Sequence, residues 1–153
     1  MPADEKDVLF KAIQTYIQTQ RVSADRPESL SNIATMYLNI GDVVAAEGRL
    51  NTALELNPQW VPALINLADI YRGTGRDEQG GLLLDRALEL TPNAADVLLA
   101  KALWWVRQGD RARAIALLEQ GYDVNSASSL NYIYAVALHS DGQTAKALDI
   151  VDA

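Results

Sequence analysis

The sequence of 153 residues contains no cysteine and a single histidine, His139. The lack of cysteine excludes disulfides, thiolate metal sites and cysteine nucleophiles. A general base needs a positioned partner and a substrate site, and the residues around His139 provide neither. The sequence also has no His-Glu-x-x-His motif, no phosphate-binding glycine loop and no Gly-x-Ser-x-Gly elbow. We therefore expect a protein without catalytic activity, cofactor or metal.

Basic residues and long apolar runs are also scarce. Lysine and arginine number 13 against 20 aspartate and glutamate, for a net charge of −7, whereas nucleic-acid binding needs a concentrated basic face. One basic cluster, Arg107, Arg111 and Arg113, is interrupted by Asp110, and we interpret it as a solvated helix start rather than an anion site. No apolar run of about 18 residues is present, and no apolar segment follows Met1. We expect a soluble chain, cytoplasmic or periplasmic, with no signal peptide, no membrane insertion and no nucleic-acid partner.

The central part of the sequence contains one unit written twice in succession. Pro58 and Pro92 are 34 residues apart, as are Gly41 and Gly75. The two copies end in closely similar segments, residues 53–58 (ALELNP) and 87–92 (ALELTP). A fixed period of this length is typical of stacked helical repeats.

The helical spacing of apolar residues, together with proline and glycine at the expected helix ends, predicts about nine helices. Pro27 suits the first turn of a helix, and Asn57-Pro58 ends one, because proline cannot donate an intrahelical hydrogen bond. Residues 22–26 are predicted as a linker, and a shorter last step of the repeat places a one-residue deletion around Asn125 to Ser128. Four glycines are expected as left-handed C-cap residues: Gly41, Gly75, Gly109 and Gly142. The predicted helices span 5–20, 27–40, 43–56, 61–73, 77–90, 95–108, 111–122, 128–140 and 144 to the end.

This spacing resembles the tetratricopeptide repeat family. Each repeat of that family consists of two helices, A and B. Helix A carries the pattern large-x2-Leu-small-x2-aromatic, helix B carries Ala-x3-large-x2-Ala, and a proline follows. Repeat one matches at Leu30, Ile33, Ala34, Tyr37, Ala46, Leu50, Ala53 and Pro58. Repeat two matches at Leu64, Leu67, Ala68, Tyr71, Leu84, Ala87 and Pro92, while repeat three, with Leu98, Ala102, Trp105, Ala114 and Leu118, is degenerate.

The resemblance implies an all-α fold, a right-handed solenoid of antiparallel helix pairs within a single domain of residues 1–153. A half-repeat helix at 6–20, in which Ala12, Tyr16 and Thr19 take helix B positions, precedes repeats at 27–60, 61–94 and 95–127 and a truncated repeat at 128–153. Natural solenoids usually finish with a polar capping helix, and residues 147–153 (ALDIVDA) do not resemble one. We therefore expect a segment of a larger, bacterial protein.

Two departures from the family pattern stand out. Gly80-Gly81 falls inside helix B of repeat two, where glycine costs roughly 1 kcal/mol relative to alanine; we interpret the pair as tight packing or a local soft spot rather than a hinge. Lys101 occupies a position that is normally apolar, so we expect its stem to pack while its amine reaches water.

The resemblance also implies a concave face lined by helix A, mixed at its first end and apolar toward repeats three and four. Such a groove suits an amphipathic helix or an extended apolar peptide. The carboxylate clamp of chaperone adaptors is rejected, since only Asn66 fits among Ser31, Thr35, Asn66, Asp96 and Ala100. The predicted groove residues are Leu38, Ile65, Asp69, Arg72, Leu99, Leu103, Val106, Tyr132, Val136 and His139.

The sequence thus favours a non-catalytic protein–protein interaction scaffold whose partner is a protein or peptide. The alternative is a structural spacer or self-association segment, with a homodimer formed through the exposed terminal residues Leu148, Ile150 and Val151. The run at residues 26–28 and the run at 134–139 are also similar to repeat arrays attached to bacterial multihaem cytochromes. Because no Cys-x-x-Cys-His motif is present, this chain itself provides no attachment point for a covalent haem.

Overall fold

The computed structural model describes residues 3–19, 25–126 and 128–152. Over these residues the chain is all α-helical, and the predicted helices are confirmed with ends that agree to within two residues. The predicted linker and the predicted deletion include residues 22–24 and 127, which lie outside the described residues. The helices are α1 (Ala3–Thr19), α2 (Pro27–Asn39), α3 (Val43–Leu56), α4 (Val61–Gly73), α5 (Asp77–Leu90), α6 (Ala95–Arg107), α7 (Arg111–Gly121), α8 (Ser129–Ser140) and α9 (Thr144–Val151).

Each helix A ends on a glycine in the left-handed region, as predicted. The φ angles are 80° at Gly41, 75° at Gly75, 82° at Gly109 and 83° at Gly142. In the first turn the next residue, Asp42, donates its backbone N–H to the Tyr37 carbonyl at 2.9 Å and accepts the Ala45 N–H on its carboxylate at 3.0 Å. A Gly-Asp pair therefore closes one helix and caps the next.

The chain divides into two compact units, residues 1–76 and 77–153. In the first unit α2 and α3 form a helix pair, and α4 packs against α3. Ala46, Leu50 and Ala53, the helix B signature of repeat one, are all fully buried on α3. The small residues let neighbouring helix backbones approach, and the leucine fills the space between them.

Helix α1 contacts α2 in the first unit. Its buried residue is Ile13, which is 1% exposed, and Gln14 donates from Nε2 to the Tyr37 hydroxyl at 3.4 Å. Ala12 and Thr19, the small residues of the expected half-repeat, are exposed. Tyr16, the large residue of that half-repeat, is half-buried, so the covered face of α1 is centred on Ile13.

The second unit contains two further helix pairs, α6 with α7 and α8 with α9. Helix α5 packs against α6, and α7 packs against α8. A continuous core joins the four helices from α6 to α9, and its largest members are Leu98, Leu118, Leu130, Tyr134 and Leu138. Repeat three is degenerate in sequence, yet its family positions Leu98, Ala102, Ala114 and Leu118 are fully buried.

Candidate functional site

An apolar groove lies between α6 and α8 in the second unit. Its cavity of about 220 Å³ is lined by Leu103 and Val106 from α6, by Arg111 and Ala114 from α7, and by Ile133, Val136, Ala137 and Ser140 from α8. We call this cavity the α6–α8 groove. It is formed within one compact unit.

Helical spacing explains why these side chains line one surface. Leu103 and Val106 are three residues apart on α6, and Ile133, Val136 and Ala137 follow the i, i+3, i+4 pattern on α8, so each set shares a helix face. Although apolar, Leu103 is 37% exposed, and Val106 and Val136 are each 44% exposed. Ile133 and Ala137 are half-buried and also pack against the core, whereas the other three side chains are open to solvent.

A second depression lies beside the groove, between α8 and α9. It measures about 230 Å³ and is lined by Tyr132, Val136, His139, Thr144, Leu148 and Val151, among others. Val136 belongs to both cavities. Nδ1 of His139 lies 3.1 Å from the Thr144 hydroxyl, which places the ring at the edge of this α8–α9 depression. The structure thus brings together five of the predicted groove residues: Leu103, Val106, Tyr132, Val136 and His139.

The other predicted groove residue of the second unit, Leu99, is oriented differently. It is half-buried and packs against the core cluster of α6 to α9. It is not among the residues that line the α6–α8 groove.

The first unit carries the remaining four predicted residues. Leu38 on α2 and Ile65 on α4 are half-buried. Asp69 and Arg72 on α4 are exposed and pair with each other at 2.7 Å. This part of the predicted site is thus mixed in character, with an intrahelical ion pair beside partly covered apolar side chains.

Ser31 takes a position where the chaperone-adaptor clamp carries a polar contact residue, and it is covered. Its hydroxyl accepts the Trp60 indole N–H at 2.9 Å and donates to the Pro27 carbonyl at 2.9 Å. Only 7% of the residue is exposed. This position offers no donor to a ligand.

A separate ion pair stabilises the first unit away from these residues. Both guanidinium nitrogens of Arg76 donate to the Glu47 carboxylate at 2.7 Å, and the guanidinium carbon lies 4.1 Å from the Tyr71 ring centroid. The hydrogen bonds from Arg76 lower the pKa of Glu47, and its charge adds to this effect. The pair ties α3 to the turn that follows α4.

Within residues 3–19, 25–126 and 128–152, no group of three or more histidine, aspartate or glutamate side chains is placed to hold a metal ion. None of the helices in this part of the chain is long and apolar enough to cross a membrane.

Comparison with known proteins supports the repeat pattern directly. A family model described as tetratricopeptide repeat matches residues 12–95 and 98–153. The chain belongs to the tetratricopeptide repeat family. Both the resemblance inferred from the repeat spacing and the all-α paired-helix fold are confirmed.

Curated relatives of this tetratricopeptide repeat protein include photosystem I assembly protein Ycf3. The protein from Prochlorococcus marinus (strain MIT 9303) is 33% identical over 90 residues, which cover 57% of this chain and 52% of the relative. The protein from Cyanophora paradoxa is 31% identical over 93 residues, covering 58% of this chain and 54% of the relative. The chain therefore spans about half the length of the curated relatives it matches.

Solved structures of similar fold superpose on nearly the whole chain. A thermophilic TPR protein from Thermus thermophilus gives a TM-score of 0.74 at 23% identity and covers 93% of this chain and 79% of its own. Pseudomonas aeruginosa pilF gives a TM-score of 0.74 at 17% identity, with 97% of this chain and 75% of its own covered. At such identities the likeness establishes the fold alone.

Lys101 departs from the tetratricopeptide pattern, and the expectation that its amine reaches water is wrong. The residue is 2% exposed. Its Nζ lies 2.7 Å from the Asp85 carboxylate, donates to the Gly81 carbonyl at 3.1 Å, and lies 3.9 Å from the ring centroid of Trp104. A carboxylate, a carbonyl and an aromatic face replace the water that the buried ammonium loses.

Gly81 is the other departure, and its packing supports the interpretation of a tight contact. A Cβ at this position would lie 2.5 Å from Cζ2 of Trp104, closer than carbon atoms approach without a shift. Nε1 of Trp104 donates to the Asp77 carbonyl at 2.8 Å, which fixes the indole in this place. The absence of a side chain at Gly81 is what admits the tryptophan.

The predicted groove residues leave out five residues that line the α6–α8 groove: Arg111, Ala114, Ile133, Ala137 and Ser140. Ile133 lies three residues before Val136 on the same helix face, so helical spacing from Val136 carries the signal that would have found it. No comparable signal exists for Arg111. It begins α7, and its place at the groove depends on where α8 packs.

Proposed function

We propose that this chain is a non-catalytic protein-interaction scaffold that binds a peptide or helix of a protein partner in the α6–α8 groove. The observation that carries the proposal is the apolar lining of that groove, where Leu103, Val106 and Val136 remain 37–44% exposed. Exposed apolar surface that converges in a concavity marks an interaction site more often than scattered apolar residues do.

The size of the cavity favours a protein ligand over a small molecule. Sites for drug-sized molecules typically measure roughly 300–1,000 Å³, whereas the α6–α8 groove measures about 220 Å³. A cavity of this size holds one or two anchoring side chains of a longer segment, as in the recognition of an amphipathic helix by a groove. The α8–α9 depression, joined to it through Val136, extends the surface for the rest of the segment.

The names of the curated relatives are consistent with a role in binding proteins. The curated matches are named as assembly proteins of photosystem I, and an assembly role requires holding protein partners. Only about half of their length is matched, so the identity of the partner is not carried over to this chain.

A display library of short random peptides, panned on the purified protein, tests the proposal. Enriched peptides are synthesised, and their affinities are measured by fluorescence anisotropy for the wild type, for Val136→Glu and for Val44→Glu. The first variant places a carboxylate in the apolar groove, and we expect it to weaken binding by at least about fivefold, since one unpaired polar group at an interface costs about 1–3 kcal/mol. Val44 on α3 is 83% exposed, so the same substitution there serves as the control.

Equal binding by the two variants, both still helical by circular dichroism, would refute groove-mediated recognition. In that case the alternative role, a self-associating or spacer segment, gains support. A specific observation favours that alternative: Leu148 and Val151 are 56% and 66% exposed in the α8–α9 depression. Light scattering decides it, because self-association through this surface raises the mass with concentration, and Leu148→Glu would abolish the rise.

A further inference from the structure

Arg111 sets the electrostatic character of the α6–α8 groove. Among the described residues that line this cavity it is the only charged one, and Ser140 is the only other residue with a polar side chain. Arg111 begins α7 and Ser140 ends α8. The polar groups therefore come from helix ends, while apolar side chains provide the rest of the lining.

The fold makes no evident use of this guanidinium. The two nearest arginines in the sequence are engaged: Arg107 pairs with Asp77 at 2.9 Å and Arg113 pairs with Asp110 at 3.2 Å. Arg111 has no carboxylate within 4.0 Å among residues 77–126 and 128–152, where the ion pairs of this unit are found. It is exposed and available to a ligand, which separates it from Arg107 and Arg113, the other members of the cluster interpreted from sequence as a solvated helix start.

The position of Arg111 is also unfavourable for the helix that carries it. Arg111 is the first residue of α7, where the helix dipole repels a cation and favours an anion. Sequences break a local rule of this kind mainly at functional sites. The Asp110 carboxylate caps this end of α7 and pairs with Arg113, so a further anion beside Arg111 would add to the compensation of the dipole.

We infer that the groove recognises an amphipathic segment of a protein partner that carries an aspartate or glutamate side chain against Arg111, next to the apolar residues that enter the cavity. The inference rests on the proposed function and adds the charge of the ligand to it. An arginine fork binds a carboxylate through two parallel hydrogen bonds. Capture of a C-terminal carboxylate, in contrast, commonly uses a nest of backbone donors, whereas a single guanidinium lines this cavity.

The same panned peptides provide the test, with variants on both sides of the contact. Peptides that depend on Val136 are sequenced for acidic residues, and each acidic residue is replaced by its amide. Arg111→Gln is compared with Arg86→Gln, which makes the same charge change at an exposed position of α5. We expect acidic residues to be enriched, and we expect both Arg111→Gln and the amide peptide to bind about tenfold more weakly, with a smaller loss at high salt. Arg86→Gln should bind like the wild type.

Charge reversal makes the assignment specific to the pair. Arg111→Glu should reject the acidic peptide and accept the same peptide with lysine in place of its acidic residue. Val136-dependent peptides that lack acidic residues and bind Arg111→Gln normally would overturn the inference and leave the proposed function standing. Binding that is lost when the peptide's C-terminus is amidated would also overturn it, in favour of a terminal carboxylate. If no peptide depends on Val136, the proposed function itself fails.

Discussion

Lys101 offers the sharpest test of how the second unit is stabilised. Its ammonium is buried, with 2% of the residue exposed, and is compensated by the Asp85 carboxylate at 2.7 Å. Replacing a buried ion pair by apolar groups of similar volume is often neutral, whereas removing one partner is costly. The stem and the charge of Lys101 should therefore contribute very differently to the free energy of unfolding.

Three substitutions separate these contributions. Lys101→Met keeps most of the volume and removes the charge; the carboxylate of Asp85 is 54% exposed and stays hydrated, so we expect a change within about 1 kcal/mol. Lys101→Ala also removes the stem and leaves a cavity, which should cost about 2–4 kcal/mol. Asp85→Asn leaves the buried ammonium without its anion, and the half-exposed position reduces the penalty to about 1–2 kcal/mol.

Urea denaturation followed by far-UV circular dichroism measures these differences, provided that the slope of the transition is unchanged. The expected order of destabilisation is Lys101→Ala, then Asp85→Asn, then Lys101→Met. If Lys101→Met is as damaging as Lys101→Ala, the charge rather than the stem stabilises the unit, and the reasoning is refuted. A neutral Asp85→Asn would show that the carboxylate does not compensate the ammonium.

Three further variants test two glycine positions and the Glu47–Arg76 ion pair. Gly81→Ala should destabilise the protein by about 1–3 kcal/mol, because the added Cβ would lie 2.5 Å from Trp104. Gly48→Ala should stabilise it by about 0.5–1 kcal/mol through helix propensity, because no atom lies within 4 Å of the added Cβ. Thermal unfolding of both variants measures these changes. Arg76 lowers the pKa of Glu47, so the stability that this pair contributes is complete above the ordinary glutamate value of 4.5 and is lost as pH falls through the folded value. Arg76→Gln should therefore destabilise at neutral pH, and the difference from wild type should shrink in acid; a difference independent of pH would contradict the pairing.

The helices were predictable from sequence because their ends are encoded locally. Proline at a first turn, glycine in the left-handed region and a capping aspartate each act within a few residues of their own position. The bounds predicted for α3, Val43–Leu56, are those observed. The register of α1 was less predictable, because whether Ala12 or Ile13 faces inward depends on how α1 packs against α2.

The candidate site was only partly predictable, for a similar reason. The family resemblance assigned Leu103, Val106 and Val136 to one surface, and the structure places all three in one cavity. It could not identify Arg111, whose contact with that cavity depends on the placement of α8 against α7. Leu99 shares α6 with Leu103 but turns toward the core, a distinction that depends on the neighbouring helices.

The departures from the repeat pattern in α5 and α6 are best explained as one linked arrangement. Gly81 lacks a side chain, and Trp104 occupies the space that a Cβ would need. The indole face that this contact fixes lies 3.9 Å from the Lys101 ammonium, and the same ammonium donates back to the Gly81 carbonyl. Each residue taken alone breaks a rule, since glycine weakens a helix interior and a buried lysine loses its hydration. Together they compensate each other energetically. The close approach of Trp104 to α5, which only glycine permits at position 81, brings the indole face and the Gly81 carbonyl to the ammonium. This arrangement holds α6, the first helix of the degenerate repeat three, against α5. It therefore supports the helix that forms one wall of the α6–α8 groove.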